Sequence, residues 1–96
     1  MLVIVCYDVN TETKAGRRRL RRVAKVCEST GQRVQKSVFE CIVNPAQAEL
    51  LRHALTQEID ETVDSIRVYR LREPHGRYLF TAGRQRPFDI RGPLVL

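Results

Sequence analysis

Met1-Leu2-Val3-Ile4-Val5-Cys6-Tyr7-Asp8-Val9-Asn10 is the stretch from which the rest of the chain is read. Six apolar residues follow Met1 without interruption, and the run is rich in β-branched side chains. Such a run is expected to be a strand buried on both faces, hence central in a sheet. Asn10, Thr11, Glu12 and Thr13 are polar. Asp8 is therefore expected where the strand leaves the core, a common position for chemistry in α/β sheets. The alternative use for Asp8 is local, accepting from nearby amides or from the Thr11 and Thr13 hydroxyls.

Residues 13–30 are expected to be a helix. Leu20, Val23, Ala24 and Cys27 recur at i, i+3, i+4, i+7, with Ala15, Gly16 and Val26 beside the stripe. Thr11 or Thr13 can cap its start, and Gly31 suits a left-handed position after its end. Its other faces carry Lys14, Arg17, Arg18, Arg19, Arg21, Arg22 and Lys25, seven cations in twelve positions, with only Glu12 and Glu28 flanking them. That exceeds what a solvated face needs and points to phosphate contact. A membrane-surface helix fits less well, because the apolar stripe is short and has no Trp or Phe.

Gln32 to Val43 is the next β stretch. Its alternation breaks near Lys36-Ser37, which predicts either two strands joined by a tight turn or one strand with a bulge. Phe39 reads as core, Ser37 as a turn residue, Glu40 as an exposed acid, and Arg33 as partnered by Glu40 or by a phosphate. Asn44-Pro45 with Gln47 marks a capped second helix whose inward stripe is Leu51, Ala54 and Leu55. An acidic turn from Asp60 to Asp64 follows. Ser65 to Arg72 is a strand, Glu73 to Gly76 a turn, and Arg77 to Gly83 a shorter strand. His53 and His75 read as surface residues.

The order β-α-β-β-α-β defines an α+β, ferredoxin-like fold, with both helices on one sheet face and one or more extra C-terminal strands. Residues 1–83 form the expected domain and 84–96 a tail, its apolar end packing on a neighbouring subunit. Nothing in the chain remains to cover the second sheet face, so a homodimer with sheet faces packed together is expected. Ninety-six residues make one domain that buries only about two thirds of its unfolded surface, which also favours a partner.

The net charge of +6 is uneven: residues 1–48 hold nine Lys/Arg against four Asp/Glu, and residues 49–96 eight against seven. Concentrated positive charge favours a polyanion, nucleic acid first. Cys6, Cys27 and Cys41 form no Cys-x-x-Cys and lie among apolar residues, so they read as reduced packing residues. No signal peptide and no membrane span are expected, which makes the expected location cytoplasmic. Six aromatics without Trp provide little base-stacking surface, which argues against a small RNA-binding module.

Tyr7-Asp8-Val9, the Arg-rich helix, Gly31 through Cys41 (G-Q-R-V-Q-K-S-V-F-E-C) and Ile66 through Leu71 together resemble the CRISPR-associated Cas2 family, in order and over nearly the whole chain. The resemblance is strongest to type I-C members. It implies a ferredoxin-like homodimer whose last strands add to the partner's sheet. It implies a role in spacer acquisition, bridging dimers of the integrase partner (Cas1) and supporting a captured DNA duplex. It also implies Mg²⁺- or Mn²⁺-dependent endonuclease activity on DNA or RNA, found in some members and not in others. The metal is attributed to the acid matching Asp8; Tyr7 and Arg33, with Phe39, match positions tied to activity.

One acid per chain is thin for a Mg²⁺ site, which usually takes one or two protein carboxylates. A two-fold axis near the strand ends would bring two copies of Asp8 together, two acids that repel unless a cation lies between them. A metal-dependent endonuclease built on that pair, and a purely structural DNA-binding adaptor with no catalysis, are the two readings the sequence leaves open.

Overall fold

The computed structural model describes residues 1–72 and 77–83. The expected turn at 73–76, with His75, and the tail 84–96 lie outside the described residues. Six elements follow in order: β1 (Leu2–Asp8), α1 (Lys14–Thr30), β2 (Gln32–Gln35), β3 (Val38–Ile42), α2 (Pro45–Glu58) and β4 (Ser65–Leu71). They form one antiparallel sheet in the order β2-β3-β1-β4. This is the β-α-β-β-α-β arrangement expected from the sequence, with the opening stretch central.

Strand parity divides the apolar residues. Val3, Val5 and Tyr7 of β1 point to the helices, beside Phe39 and Cys41 of β3. Val23 and Cys27 of α1, with Ala48, Leu51 and Leu55 of α2, close the core over them. Packing these residues away from water is the main favourable contribution to the fold. The opposite face carries Ile4, Cys6 and Asp8, with Val38, Glu40 and Ile42 on one side and Arg67, Tyr69 and Leu71 on the other. Apart from Leu2, which is fully buried, this face is only half covered, and Tyr69 is exposed.

The caps follow the sequence closely. Thr13 accepts from the Gly16 amide at 2.9 Å, and Asn44 and Gln47 form the reciprocal capping box of α2. Both alternatives for Gln32–Val43 are realised at once: Lys36-Ser37 turns between β2 and β3, and the register slips between Arg33 and Gln35, leaving Val34 as the extra residue.

Two expectations are corrected. Gly31 is not left-handed; its φ of −149° and ψ of −160° are extended backbone. A glycine is needed there because a Cβ would run into the Cys41 Sγ and the Glu40 carbonyl oxygen as the chain turns from α1 into β2. Residues 77–83 carry no strand in the single chain; Tyr78 is exposed and Phe80 is 89% exposed. A strand forms only against a neighbour that takes up its hydrogen bonds, and neither edge of this sheet receives it.

Candidate functional site

Asp8 ends β1 opposite Ser65, its carboxylate exposed on the half-covered sheet face. Among the described residues it makes no hydrogen bond or ion pair, so neither the Thr11 nor the Thr13 hydroxyl takes it up. The loop beyond it is instead held by other groups. Asn10 Oδ1 accepts from the Glu12 amide, and the Asn10 amide donates to Asp64 at 2.9 Å.

Asp64 is the residue that the sequence reading missed. Its side chain is fully buried at the start of β4, where it accepts from the amides of Asn10 and Asp60 and from Arg19 Nε at 2.8 Å. Burial alone would raise its pKa. The hydrogen bonds from Arg19, Asp60 and Asn10 outweigh that and hold the carboxyl below its ordinary range. Little in the sequence distinguishes Asp64 from Asp60 or Glu61 in the same turn; besides the Asp60 amide, its partners lie 45 and 54 residues away in the chain.

Next to Asp8, Tyr7 turns inward. It is 5% exposed and stacks on Phe39 with ring centroids 6.2 Å apart. Its hydroxyl donates to the Lys36 carbonyl at 3.2 Å. Burial pushes the phenol above its ordinary pKa, with the Arg33 charge working against that shift. At neutral pH Tyr7 is a neutral donor, not a base. Arg33 lies over Phe39, 5.0 Å from the ring centroid, and donates to the same Lys36 carbonyl at 2.8 Å. Its acid partner is Glu28 of α1 at 3.2 Å, not Glu40 across the hairpin. The bulge at Val34 explains the change: past it, Arg33 shares the helix-facing side with Phe39, while Glu40 pairs with Gln32.

The seven cations of α1 divide into two sets. Arg19 is bound to Asp64, Arg22 to Glu58 at 2.8 Å, and Arg17 donates to the Thr11 carbonyl. Lys14, Arg18, Arg21 and Lys25 have no hydrogen bond or ion pair among the described residues. Their spacing of four, three and four residues places them in one stripe along the helix. The stripe spans about 16 Å at 1.5 Å per residue.

Arg21 of that stripe also lines an open cleft of about 490 Å³ between α1 and the β2–β3 turn, with Tyr7, Asp8, Arg33 and Lys36. The geometry therefore joins Asp8, Tyr7 and Arg33 with Arg21 in one place. It leaves Arg17, Arg19 and Arg22 engaged elsewhere. Among the described residues, no three His, Cys, Asp or Glu side chains cluster as a ready-made metal site, and no helix is long and apolar enough to cross a membrane.

A four-stranded antiparallel sheet covered by two helices on one face, with an acid ending a central strand beside cations, none of them partnered among the described residues, defines a ferredoxin-like α+β protein with a cationic surface. The family model for CRISPR associated protein Cas2 matches residues 1–77, and the chain belongs to that family. It is 57% identical over the full length of both chains to a CRISPR-associated endoribonuclease Cas2 of Moorella thermoacetica. It is 46% identical to a CRISPR-associated endonuclease Cas2 of Halalkalibacterium halodurans, covering 99% of each. The crystal structure of Streptococcus pyogenes Cas2 at pH 6.5 superposes with a TM-score of 0.74, at 59% identity, covering 86% of this chain and 100% of that one.

Proposed function

We propose that this chain is a cytoplasmic spacer-acquisition protein that works as a homodimer and cleaves nucleic acid with a divalent metal held by the Asp8 carboxylates of two subunits. The observation that carries the reading is Asp8 itself: exposed, without a partner among the described residues, at the end of a central strand and at the rim of a cationic cleft. The nuclease names of the relatives from Moorella thermoacetica and Halalkalibacterium halodurans support it. The substrate proposed is DNA or RNA, and the subtype, type I-C, rests on the sequence resemblance.

One carboxylate per chain fits a Mg²⁺ or Mn²⁺ that keeps several waters, and a pair fits better. Asp8 lies on the sheet face with Ile4 and Cys6, the face a second copy would cover, so a two-fold axis there would turn the two acids towards each other. Such an ion would lower the pKa of a bound water and offset charge on the phosphate. The protein's own part is to present the acid on a rigid strand end and to hold the phosphate with cations.

A second reading has its own observation. The four unpaired cations along α1 can dock duplex DNA whether or not a bond is cut. The chain would then be a structural adaptor bridging integrase (Cas1) dimers. Asp8→Asn separates the two. Under the nuclease reading it abolishes cleavage in Mg²⁺ or Mn²⁺ while binding persists. Cleavage by Asp8→Asn equal to wild type, both purified identically, refutes that reading. Absence of cleavage by wild type, with binding retained, leaves the adaptor.

A further inference from the structure

Three of the clefts among the described residues exceed about 400 Å³. One, of about 410 Å³, is lined by Val26, Leu50, Leu51 and Ala54 between the helices and offers no charged group. One, of about 480 Å³, lies between α2 and β4 over Asp64, whose hydrogen bonds are already satisfied within the fold. The third, beside Asp8, differs in kind. Three charged side chains around it, Asp8, Arg21 and Lys36, have no partner among the described residues.

We infer that this third cleft is a binding site for a single nucleotide unit, with its phosphate on Arg21 and Lys36 and its base or sugar against Val9, Leu20 and Ala24. The volume of about 490 Å³ falls within the range of small-molecule sites, about 300–1,000 Å³. The wall is apolar: Val9 is buried, and Leu20 and Ala24 are half-buried. The rim is cationic and built from two elements, α1 through Arg21 and the β2–β3 turn through Lys36. Arg33 braces that turn, since its guanidinium and the Tyr7 hydroxyl both donate to the Lys36 carbonyl. The turn that carries Lys36 is thus fixed before any ligand arrives, which lowers the ordering cost of binding.

Two features favour a nucleotide over a bare phosphate. The apolar wall has no use for an inorganic anion but accepts the face of a base. Arg21 also belongs to the stripe of free cations, so a strand whose phosphates follow α1 is led to the cleft. A base packed on this wall is unpaired, so the cleft selects single-stranded or locally opened nucleic acid. The inference rests on the proposed nuclease reading only in that the seated unit would lie beside Asp8.

The test uses the full-length Asp8→Asn protein with chelator present, so that neither cleavage nor a metal bridge contributes. AMP and inorganic phosphate are titrated separately against the methyl NMR signals of Val9, Leu20 and Ala24. AMP is expected to shift all three saturably. Arg21→Gln and Lys36→Gln are each expected to weaken AMP about tenfold, as for loss of one charge-assisted contact. Arg52→Gln, on the exposed side of α2, is expected to leave AMP affinity unchanged. Inorganic phosphate should compete without shifting the wall methyls to the same extent. Unchanged AMP affinity in both cleft variants, with native melting curves, overturns the inference, as do AMP shifts confined to other methyls. Metal-dependent cleavage that persists in Arg21→Gln/Lys36→Gln would leave the nuclease reading standing and remove the cleft from it. AMP binding as expected, with no cleavage by wild type, would keep the cleft and remove the nuclease.

Discussion

Replacing Asp64 by alanine should damage this small fold more than any other single change to a polar side chain. The carboxylate takes up two backbone amides, those of Asn10 and Asp60, each at 2.9 Å. Each amide left without an acceptor in a part-buried position costs about 1–3 kcal/mol. Arg19 adds less, because its side chain is 21% exposed and water can replace the lost carboxylate. The two amides together give a loss of about 2–6 kcal/mol, against a whole-domain stability of about 5–15 kcal/mol. Urea unfolding followed by circular dichroism at one fixed protein concentration measures it. With a slope of about 2 kcal/mol per M, the midpoint should fall by about 1–3 M. Asp64→Asn keeps one acceptor oxygen and should fall between wild type and Asp64→Ala. A midpoint change in Asp64→Ala worth less than about 0.5 kcal/mol would place the residue among ordinary surface positions and refute the reasoning. An asparagine variant as unstable as the alanine one would refute the division of the energy between the amides and the ion pair.

The same residue sets a pH dependence. Its folded pKa is depressed, so its contribution is fully present above the ordinary carboxylate value and is lost as pH falls through the folded one. Acid destabilisation attributable to Asp64 therefore belongs below about pH 4, and Asp64→Asn should lack it. Because the Asn10 amide is among its donors, two residues beyond Asp8, loss of Asp64 should also loosen the strand end that presents the proposed metal ligand.

Three further outcomes are expected. Gly16→Ala should lower the melting temperature although alanine is the better helix former, because its Cβ would meet the Asn10 carbonyl oxygen and lie 3.3 Å from Thr13 Oγ1; a higher melting temperature would refute that. Cys27 and Cys41 are buried and their thiols are pushed up to about 12 and about 11 by burial, so at pH 8 a thiol reagent should modify them no faster than the protein unfolds, and faster labelling would count against the packing described. The four α1 cations without a partner among the described residues would contribute up to about −7 to the slope of log K against log salt for a two-chain complex with duplex DNA, and Arg22→Gln should leave that slope unchanged while Arg18→Gln reduces it; a flat salt response would remove the α1 stripe from binding.

What could be read from the sequence, and what could not, differ by the range of the interaction. The six elements of the sheet and its helices, and the N-caps of both helices, were legible because each depends on residues within a turn or two: the apolar run of β1, the stripe Leu20-Val23-Ala24-Cys27, the box Asn44-Pro45-Gln47. Asp8 was legible as a candidate because it closes an apolar run. Gly31 was misread, and the packing reason for Gly16 was not legible, because each answers to residues outside its own turn. Gly31 answers to Cys41, ten positions on, and Gly16 to the backbone of Asn10 in the preceding loop.

The basic helix shows the same limit at the level of function. Seven cations look equivalent in the sequence, and no local pattern says that Arg19 and Arg22 will meet acids from beyond α2 and from its last turn. Once those pairs are removed, the remaining cations fall on one stripe, and one of them, Arg21, reaches the cleft that also holds Asp8. Lys36 was invisible for a related reason: its place at the cleft depends on a bulge at Val34 and on two donors, Tyr7 and Arg33, converging on its carbonyl. Charge in this chain therefore has two separable jobs. The Arg19–Asp64 pair holds α1 against the sheet at the strand end, and the Arg22–Glu58 pair ties α1 to α2. The cations left over define where a polyanion can lie, and they do so only because the first set is already satisfied.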